Sequence, residues 1–173
     1  FRTVVRLADS GEEVSFQDYF VRLRHGVPVS DVRFDHDAAP TAATRTAIAD
    51  ADVVVVAPSN PLVSIGPIRA LPGVDEALAA RRSSVVAVSP IVGGAALKGP
   101  ADRMLTELGM EASVVGVAQL YAPIAEVLVI DPVDAHLATA VAAAGMRCVV
   151  EPSVMSTPER AEELARACLA AIG

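Results

Sequence analysis

The residues best suited to chemistry lie in two loops. Ala57-Pro58-Ser59-Asn60-Pro61 runs through Ser64 to Gly66-Pro67, and Ser89-Pro90-Ile91-Val92-Gly93-Gly94 runs on to Lys98-Gly99-Pro100-Ala101-Asp102. Each loop follows a continuous apolar run, Val53 to Val56 and Val85 to Val88. Open α/β sheets bind ligands just beyond such strand ends, so two tandem strand-loop units point to one shared site. A diphosphate needs converging donors without bulky side chains, and a helix N-terminus preceded by Ser, Asn and Gly supplies them. Ser64 and Gly66 stand where that terminus is expected, and Pro67 gives up only an N–H that a first helical turn leaves unpaired. Ser59 and Asn60 offer a hydroxyl and an amide to a phosphate, a ribose or an acceptor ring. The same residues also read as a turn and helix cap. Gly93 and Gly94 let the backbone approach a ligand closely, and Lys98 brings a point charge for a phosphate oxygen. A Gly pair followed by Lys reads equally as a surface loop, and without Ser or Thr after the Lys it is not a Walker loop.

Other candidates carry less. Asp35-His36-Asp37 has the residue types of a metal site, but three consecutive residues on an extended chain cannot all point one way. The segment reads as a solvated linker, and His25 and His136 read as surface or packing residues. No Ser-His-Asp or Cys-His set is legible, so no catalytic nucleophile or metal ligand is named. Cys148 and Cys168 lack metal-ligand spacing and read as reduced core residues of a cytoplasmic protein. With 14 Lys and Arg against 21 Asp and Glu, the net charge of −7 argues against a nucleic-acid face. No run approaches the ~20 apolar residues of a membrane span.

The elements that must position these loops alternate. Ser15 caps an expected helix over Phe16 to Arg24 stopped by Gly26, and Val29 to Phe34 alternates like an edge strand. Thr41 to Ala49 reads as a helix, Val53 to Ala57 as a buried strand, Val74 to Arg81 as a helix and Val85 to Val88 as a strand. Pro100 opens a helix ending at Gly109, and Ser113 to Leu120 is helix or loop. Val127 to Ile130 is a strand, Asp131 or Asp134 caps an Ala-rich helix ended by Gly145, Arg147 to Val150 is the last strand, and Glu159 to Ile172 the closing helix. Short apolar runs alternating with helices predict an α/β fold with a parallel, doubly wound sheet, taken as one domain over residues 1–173. The longest connection without an element is Pro90 to Gly99, and long loops in such domains are commonly functional.

The strings Phe16-Gln17-Asp18-Tyr19-Phe20-Val21-Arg22, Ala57 to Pro61 with Ser64 to Ile68, Ser89 to Gly94, Lys98 to Asp102 and Ile130-Asp131 resemble the 2-phospho-L-lactate transferase (CofD/FbiA) family, from about Phe16 to the C-terminus. The resemblance implies a Rossmann-like three-layer αβα fold with a mainly parallel sheet. It also implies a transferase of coenzyme F-420 biosynthesis. Such an enzyme moves a phospholactyl or phosphoenolpyruvyl group from a guanosine diphosphate-linked donor to the hydroxyl of the deazaflavin Fo, releasing GMP with the help of Mg²⁺. On that footing Ser59, Asn60 and Ser64 serve the donor diphosphate or the acceptor, Gly93, Gly94 and Lys98 the guanosine side, and Tyr19 or Phe20 a face for the deazaflavin. A homodimer is the expectation.

The sequence departs from the family pattern at Asp18, where Glu is usual, and at Leu120, where His commonly precedes the Tyr matching Tyr121. Asp35 to Thr46 also lacks the usual Pro-Gly. The family's Gly-rich opening and its acidic residues for metal and Fo have no counterpart after Phe1. The chain is therefore expected to be the C-terminal part of a longer transferase and inactive alone. The competing expectation is a YvcK-like regulator that shares the fold and binds a nucleotide sugar without catalysis.

Overall fold

Valine runs and their flanking turn residues explain the two larger sheets of the computed structural model, which describes residues 1–172. The first sheet is antiparallel and joins β1 (Arg2–Leu7), β2 (Glu13–Ser15) and β3 (Val29–Asp35) in the order β2-β1-β3. Val5 lies opposite Val14 on one side and Val32 on the other, as expected when alternate residues face one core. Only β3 was expected as an edge strand, and an edge strand it is. Between β2 and β3 the expected helix is a five-residue π-turn, Asp18–Arg22, with the Ser15 hydroxyl accepting from the Asp18 N–H. It ends in the left-handed residues Arg24 and His25 rather than at Gly26.

After α1 (Ala42–Asp50), capped by Thr41, comes the second sheet. It begins with β4 (Val54–Val56), leads through a π-turn at Pro61–Ile65, α2 (Gly66–Arg69) and α3 (Val74–Ala80), and continues in β5 (Val85–Val88). A hairpin of β6 (Ile91–Val92) and β7 (Ala95–Ala96) precedes α4 (Ala101–Glu107) and α5 (Val114–Tyr121). Next are β8 (Val127–Ile130), a 3-10 turn at Pro132–Leu137 that runs into α6 (Ala138–Ala143), β9 (Arg147–Val150) and α7 (Pro158–Ala170). The parallel strands lie in chain order, β4-β5-β8-β9. Right-handed crossovers that all step the same way put their helices on one face. The expected double winding is thus a single winding among the described residues, with α7 alone returning to the opposite face.

Burial on both faces accounts for the continuous apolar runs. Val85, Ala87, Leu128 and Ile130 pack with Leu78, Val117 and Tyr121, while Val86, Val88, Val127 and Val129 pack with Leu164 and Cys168 of α7 and with Ala171 just after it. Each fully buried Val contributes roughly 1.5 kcal/mol or more. The expectation of a buried strand over Val53 to Ala57 needs correction. β4 is a terminal strand beyond the reach of α7, and Val55 is 44% exposed. A third cluster, with Val5, Val14, Tyr19, Val29, Val63 and Met104, joins the antiparallel sheet to the turn after β4 and to α4.

Pro90 to Gly99 is not an elementless loop. Gly93 and Gly94, with φ of 61° and 79°, form the two-residue turn of the β6-β7 hairpin, where two positive φ values match the strand twist. Of the two expected caps, Asp131 accepts from the Val133 N–H, and Asp134 is buried in another role. Both cysteines are free thiols, in β9 and α7, and burial raises their pKa. Among the described residues no helix is long and apolar enough to cross a membrane.

Candidate active site at the strand ends

All four parallel strands end in Pro-bearing polar segments on the same edge: Pro58-Ser59-Asn60-Pro61, Ser89-Pro90, Asp131-Pro132 and Pro152-Ser153. Between them opens a cleft of about 760 Å³. Ser59, Asn60 and Ser64 form one wall, and Leu97, Lys98 and Gly99 another. Phe16 and Phe20 form a third, and Ser153 to Ser156 close the fourth side. Lys98 is the only ionisable side chain in this lining, which contains no carboxylate although the whole chain carries −7. Such a surface favours an anion, with Ser hydroxyls as donors and Lys98 as counter-charge.

Two of the carboxylates at this edge, both in the segment after β8, act as staples. Asp131 Oδ2 accepts from the Ser153 N–H at 3.0 Å and its hydroxyl at 3.4 Å, tying the end of β8 to the segment after β9. Asp134 accepts from the Gly93 N–H at 2.9 Å, so the buried acid anchors the hairpin turn. Ser89, also buried, uses its hydroxyl to bond the Ile91 backbone and shapes the turn into β6.

The structure brings Ser59, Asn60, Ser64 and Lys98 together across one cleft. The phosphate-binding helix terminus expected at Ser64 and Gly66 is not there, because helical winding already begins at Pro61. The Ser64 and Ile65 N–H groups donate to the Asn60 carbonyl, and the Gly66 N–H to Pro61. Asn60 Oδ1 itself accepts from the Leu62 and Val63 N–H groups at 2.9 and 3.3 Å. The cap reading of Asn60 is therefore realised, leaving its Nδ2, 3.8 Å from the Met104 sulfur. Gly66 serves packing outside the cleft: an added Cβ would lie 3.0 Å from the Phe34 ring and 3.2 Å from the Pro61 carbonyl. Gly93 and Gly94 are likewise outside the lining, which their hairpin reaches through Val92 and Ala96.

Tyr19 needs the clearest correction. It is fully buried in the core beneath the antiparallel sheet, its hydroxyl accepts from Arg103 at 2.6 Å, and burial raises its pKa against the pull of Arg103. Its neighbours face the cleft instead, with ring centroids of Phe16 and Phe20 5.6 Å apart and Phe20 42% exposed. The segment Ser153 to Ser156 was missed, although it repeats the signal of the first two loops: an apolar strand followed by Pro and Ser. Asp35-His36-Asp37 forms no metal site; His36 stacks on Phe1 at 4.7 Å and contacts the Ala38 carbonyl. Among the described residues no three of His, Cys, Asp and Glu gather to hold an ion. The residues present do not fit the Mg²⁺ that the resemblance implies.

The chain is similar to known proteins along nearly its whole length. The sequence model of the family described as 2-phospho-L-lactate transferase CofD matches residues 1–165. A phosphoenolpyruvate transferase of Kitasatospora aureofaciens is 42% identical over 97% of this chain and 54% of the relative. A 2-phospho-L-lactate transferase of Methanocaldococcus jannaschii is 41% identical over 72% of this chain and 40% of the relative. The chain spans about half the length of the first of these relatives. The crystal structure of protein BH3568 from Bacillus halodurans shares the fold, with a TM-score of 0.64 at 17% identity over 97% of this chain and 58% of that one. By sequence, the chain belongs to the CofD (2-phospho-L-lactate transferase) family.

Proposed function

We propose that this chain forms the strand-end cleft of a transferase of coenzyme F-420 biosynthesis. The reaction moves a phosphoenolpyruvyl or phospholactyl group from a guanosine diphosphate-linked donor to the deazaflavin Fo. An Fo hydroxyl oxygen forms a bond to the phosphorus carrying the acyl-derived group, the bond from that phosphorus to the bridging oxygen breaks, GMP departs and the hydroxyl proton is lost. The phosphoenolpyruvyl form is favoured, since the relatives aligned over 91% to 97% of this chain bear the name phosphoenolpyruvate transferase.

The observation that carries the reading is the cleft's charge sorting: Lys98 and serine hydroxyls line it and no carboxylate does. Transfer of a phosphoryl group asks mainly for positioning and neutralisation of charge, with little covalent work by the protein. Lys98 would offset charge on the departing GMP, while Ser59 and Ser64 orient the diphosphate. Mg²⁺ belongs to the proposal as a requirement of the reaction class, and no step is routed through it. A cytoplasmic homodimer extends the proposal on family resemblance.

The test measures GMP and phosphorylated deazaflavin formed by the intact enzyme. Loss of one charge-assisted phosphate contact costs about 1.5–3 kcal/mol, so Lys98→Ala should lower kcat/KM roughly 10- to 150-fold. A kcat/KM within about twofold of the parent would remove Lys98 from the reaction. Binding of donor without any turnover by the parent would favour the regulator.

A further inference from the structure

The cleft's aromatic wall is held from behind by a network that the expected chemistry does not use. Phe16, just before the π-turn, and Phe20, on it, flank Tyr19, and this turn closes through Arg24 and His25, whose φ values of 50° and 41° are uncommon for residues with side chains. Two left-handed residues in succession persist where the surroundings over-determine them. Here two side chains of α4 supply them, Arg103 above all. Arg103 Nη2 donates to the Tyr19 hydroxyl at 2.6 Å and to the His25 carbonyl. Its Nε lies 2.9 Å from Glu107 Oε1, and Glu107 Oε2 accepts from the Val29 N–H at 2.9 Å, just past the turn. The His25 N–H donates back to the Tyr19 carbonyl, and the His25 ring lies 5.3 Å from that of Phe20.

Arg103 also sits one turn into α4, the helix that begins where the Lys98-Gly99 wall ends. The next residue, Met104, receives the Asn60 amide. Three walls of the cleft, one from each of three chain segments, are thus referenced to one turn of α4.

We propose that Arg103 is a positioning residue: by bonding Tyr19 and His25 it sets the Phe16 and Phe20 wall at the spacing from Lys98 that accepts the planar ring of one substrate. Exposed aromatic faces on a cleft are suited to stack such a ring. The ring is either the tricycle of the acceptor or the base of the donor, and the assay separates them. The substrate side of this inference rests on the transferase reading above, whereas the positioning itself does not.

The experiment compares Arg103→Met, Arg103→Lys and Tyr19→Phe with the parent in the intact enzyme. Lys carries the charge but not the planar fork that reaches two oxygens at once, so it should rescue only in part. Arg103→Met should raise KM for one ring-bearing substrate about tenfold and leave KM for the other and kcat within twofold; Tyr19→Phe should shift the same KM by less. Hydrogen exchange of the peptide spanning residues 16–26 should lose protection at least tenfold in Arg103→Met, whether or not turnover is measurable. Unchanged protection there overturns the positioning claim. Lost protection with both KM values unchanged overturns the role of the wall in substrate binding. A parent enzyme that turns over neither substrate refutes the transferase reading and leaves the exchange result to decide the positioning alone.

Discussion

Tyr121 ends α5 fully buried, and among the described residues its hydroxyl has no hydrogen-bond partner. In the unfolded chain water bonds that group, so folding strands a donor at a cost of about 1–3 kcal/mol. Burial pushes its pKa well above the ordinary phenolic value, while the Arg69 guanidinium, 5.9 Å from the ring centroid, pulls the other way. Tyr121→Phe keeps the ring and deletes the stranded group. We expect it to stabilise the protein by about 1–2 kcal/mol, which for a chain of this size is roughly 2–8 °C in Tm.

The direction of the pKa shift gives a second signature. A phenol whose folded pKa is raised contributes stability that is complete below its unfolded value, about 10, and is lost as pH rises beyond it toward the folded value. Each pH unit in that window should cost the parent about 1.4 kcal/mol more than the Phe variant. The assay is urea unfolding at pH 7, 9, 10 and 11 with both proteins. Destabilisation of Tyr121→Phe by 1 kcal/mol or more at pH 7, or parallel curves above pH 10, would refute the argument and show that the hydroxyl is paired.

The remaining predictions concern the frame of the cleft. Gly116→Ala would drive a Cβ to 1.9 Å from the Glu111 carbonyl oxygen, backbone that no rotamer can move. It should cost about 3 kcal/mol or more, a fall of roughly 6 °C or more in Tm; an unchanged melting curve would contradict that contact. Arg33 and Arg6 hold the Glu13 carboxyl at about 2, so its contribution is present above pH 4.5 and fades as pH falls toward 2. Glu13→Gln should flatten that acid limb, most visibly at low salt, and an identical acid limb in the variant counts against the cluster. Asn60→Ala should lower stability by about 1 kcal/mol through loss of the cap. Asn60→Asp keeps the cap oxygens but adds a negative charge to the cleft. Its Tm should stay close to the parent's while KM for an anionic donor rises, and an unaltered KM would place the donor elsewhere.

The parallel strands and their site edge were legible because the signal is local: each apolar run ends in Pro with Ser, Asn or Asp, and the strand direction fixes the edge on which those residues gather. What failed depended on contacts distant in sequence or on the side of a turn that a residue faces. Gly66 read as a ligand-facing glycine, but the reason for its missing side chain is Phe34, thirty-two positions earlier. Tyr19 and Phe20 were alternative faces for a ring, and only Phe20 lines the cleft, because successive residues on a helical turn point to different sides. Phe16 and Phe20, four apart, share the cleft side of the turn, while Tyr19 between them points into the core. Asn60 showed its type but not its commitment, since one amide oxygen suffices for a cap and cannot also face a substrate. The antiparallel sheet was half hidden because β2 has only three residues.

The anion selectivity proposed for the cleft would come from where its neighbours send their charge, because the chain as a whole is acidic. Two unit charges 4 Å apart near a protein surface interact by roughly 4 kcal/mol, so one carboxylate facing a diphosphate would cancel what Lys98 contributes. Asp131 and Asp134 follow β8 at the same sheet edge, yet both accept from backbone N–H groups, and those bonds fix the walls that carry Ser153 and the β6-β7 hairpin. One arrangement thus performs two tasks. The acids brace the loops, and the bracing keeps their charge out of the space that the loops enclose. Neutralising Asp131 would therefore not simply make the cleft more attractive to an anion, since the Ser153 wall would be freed at the same time.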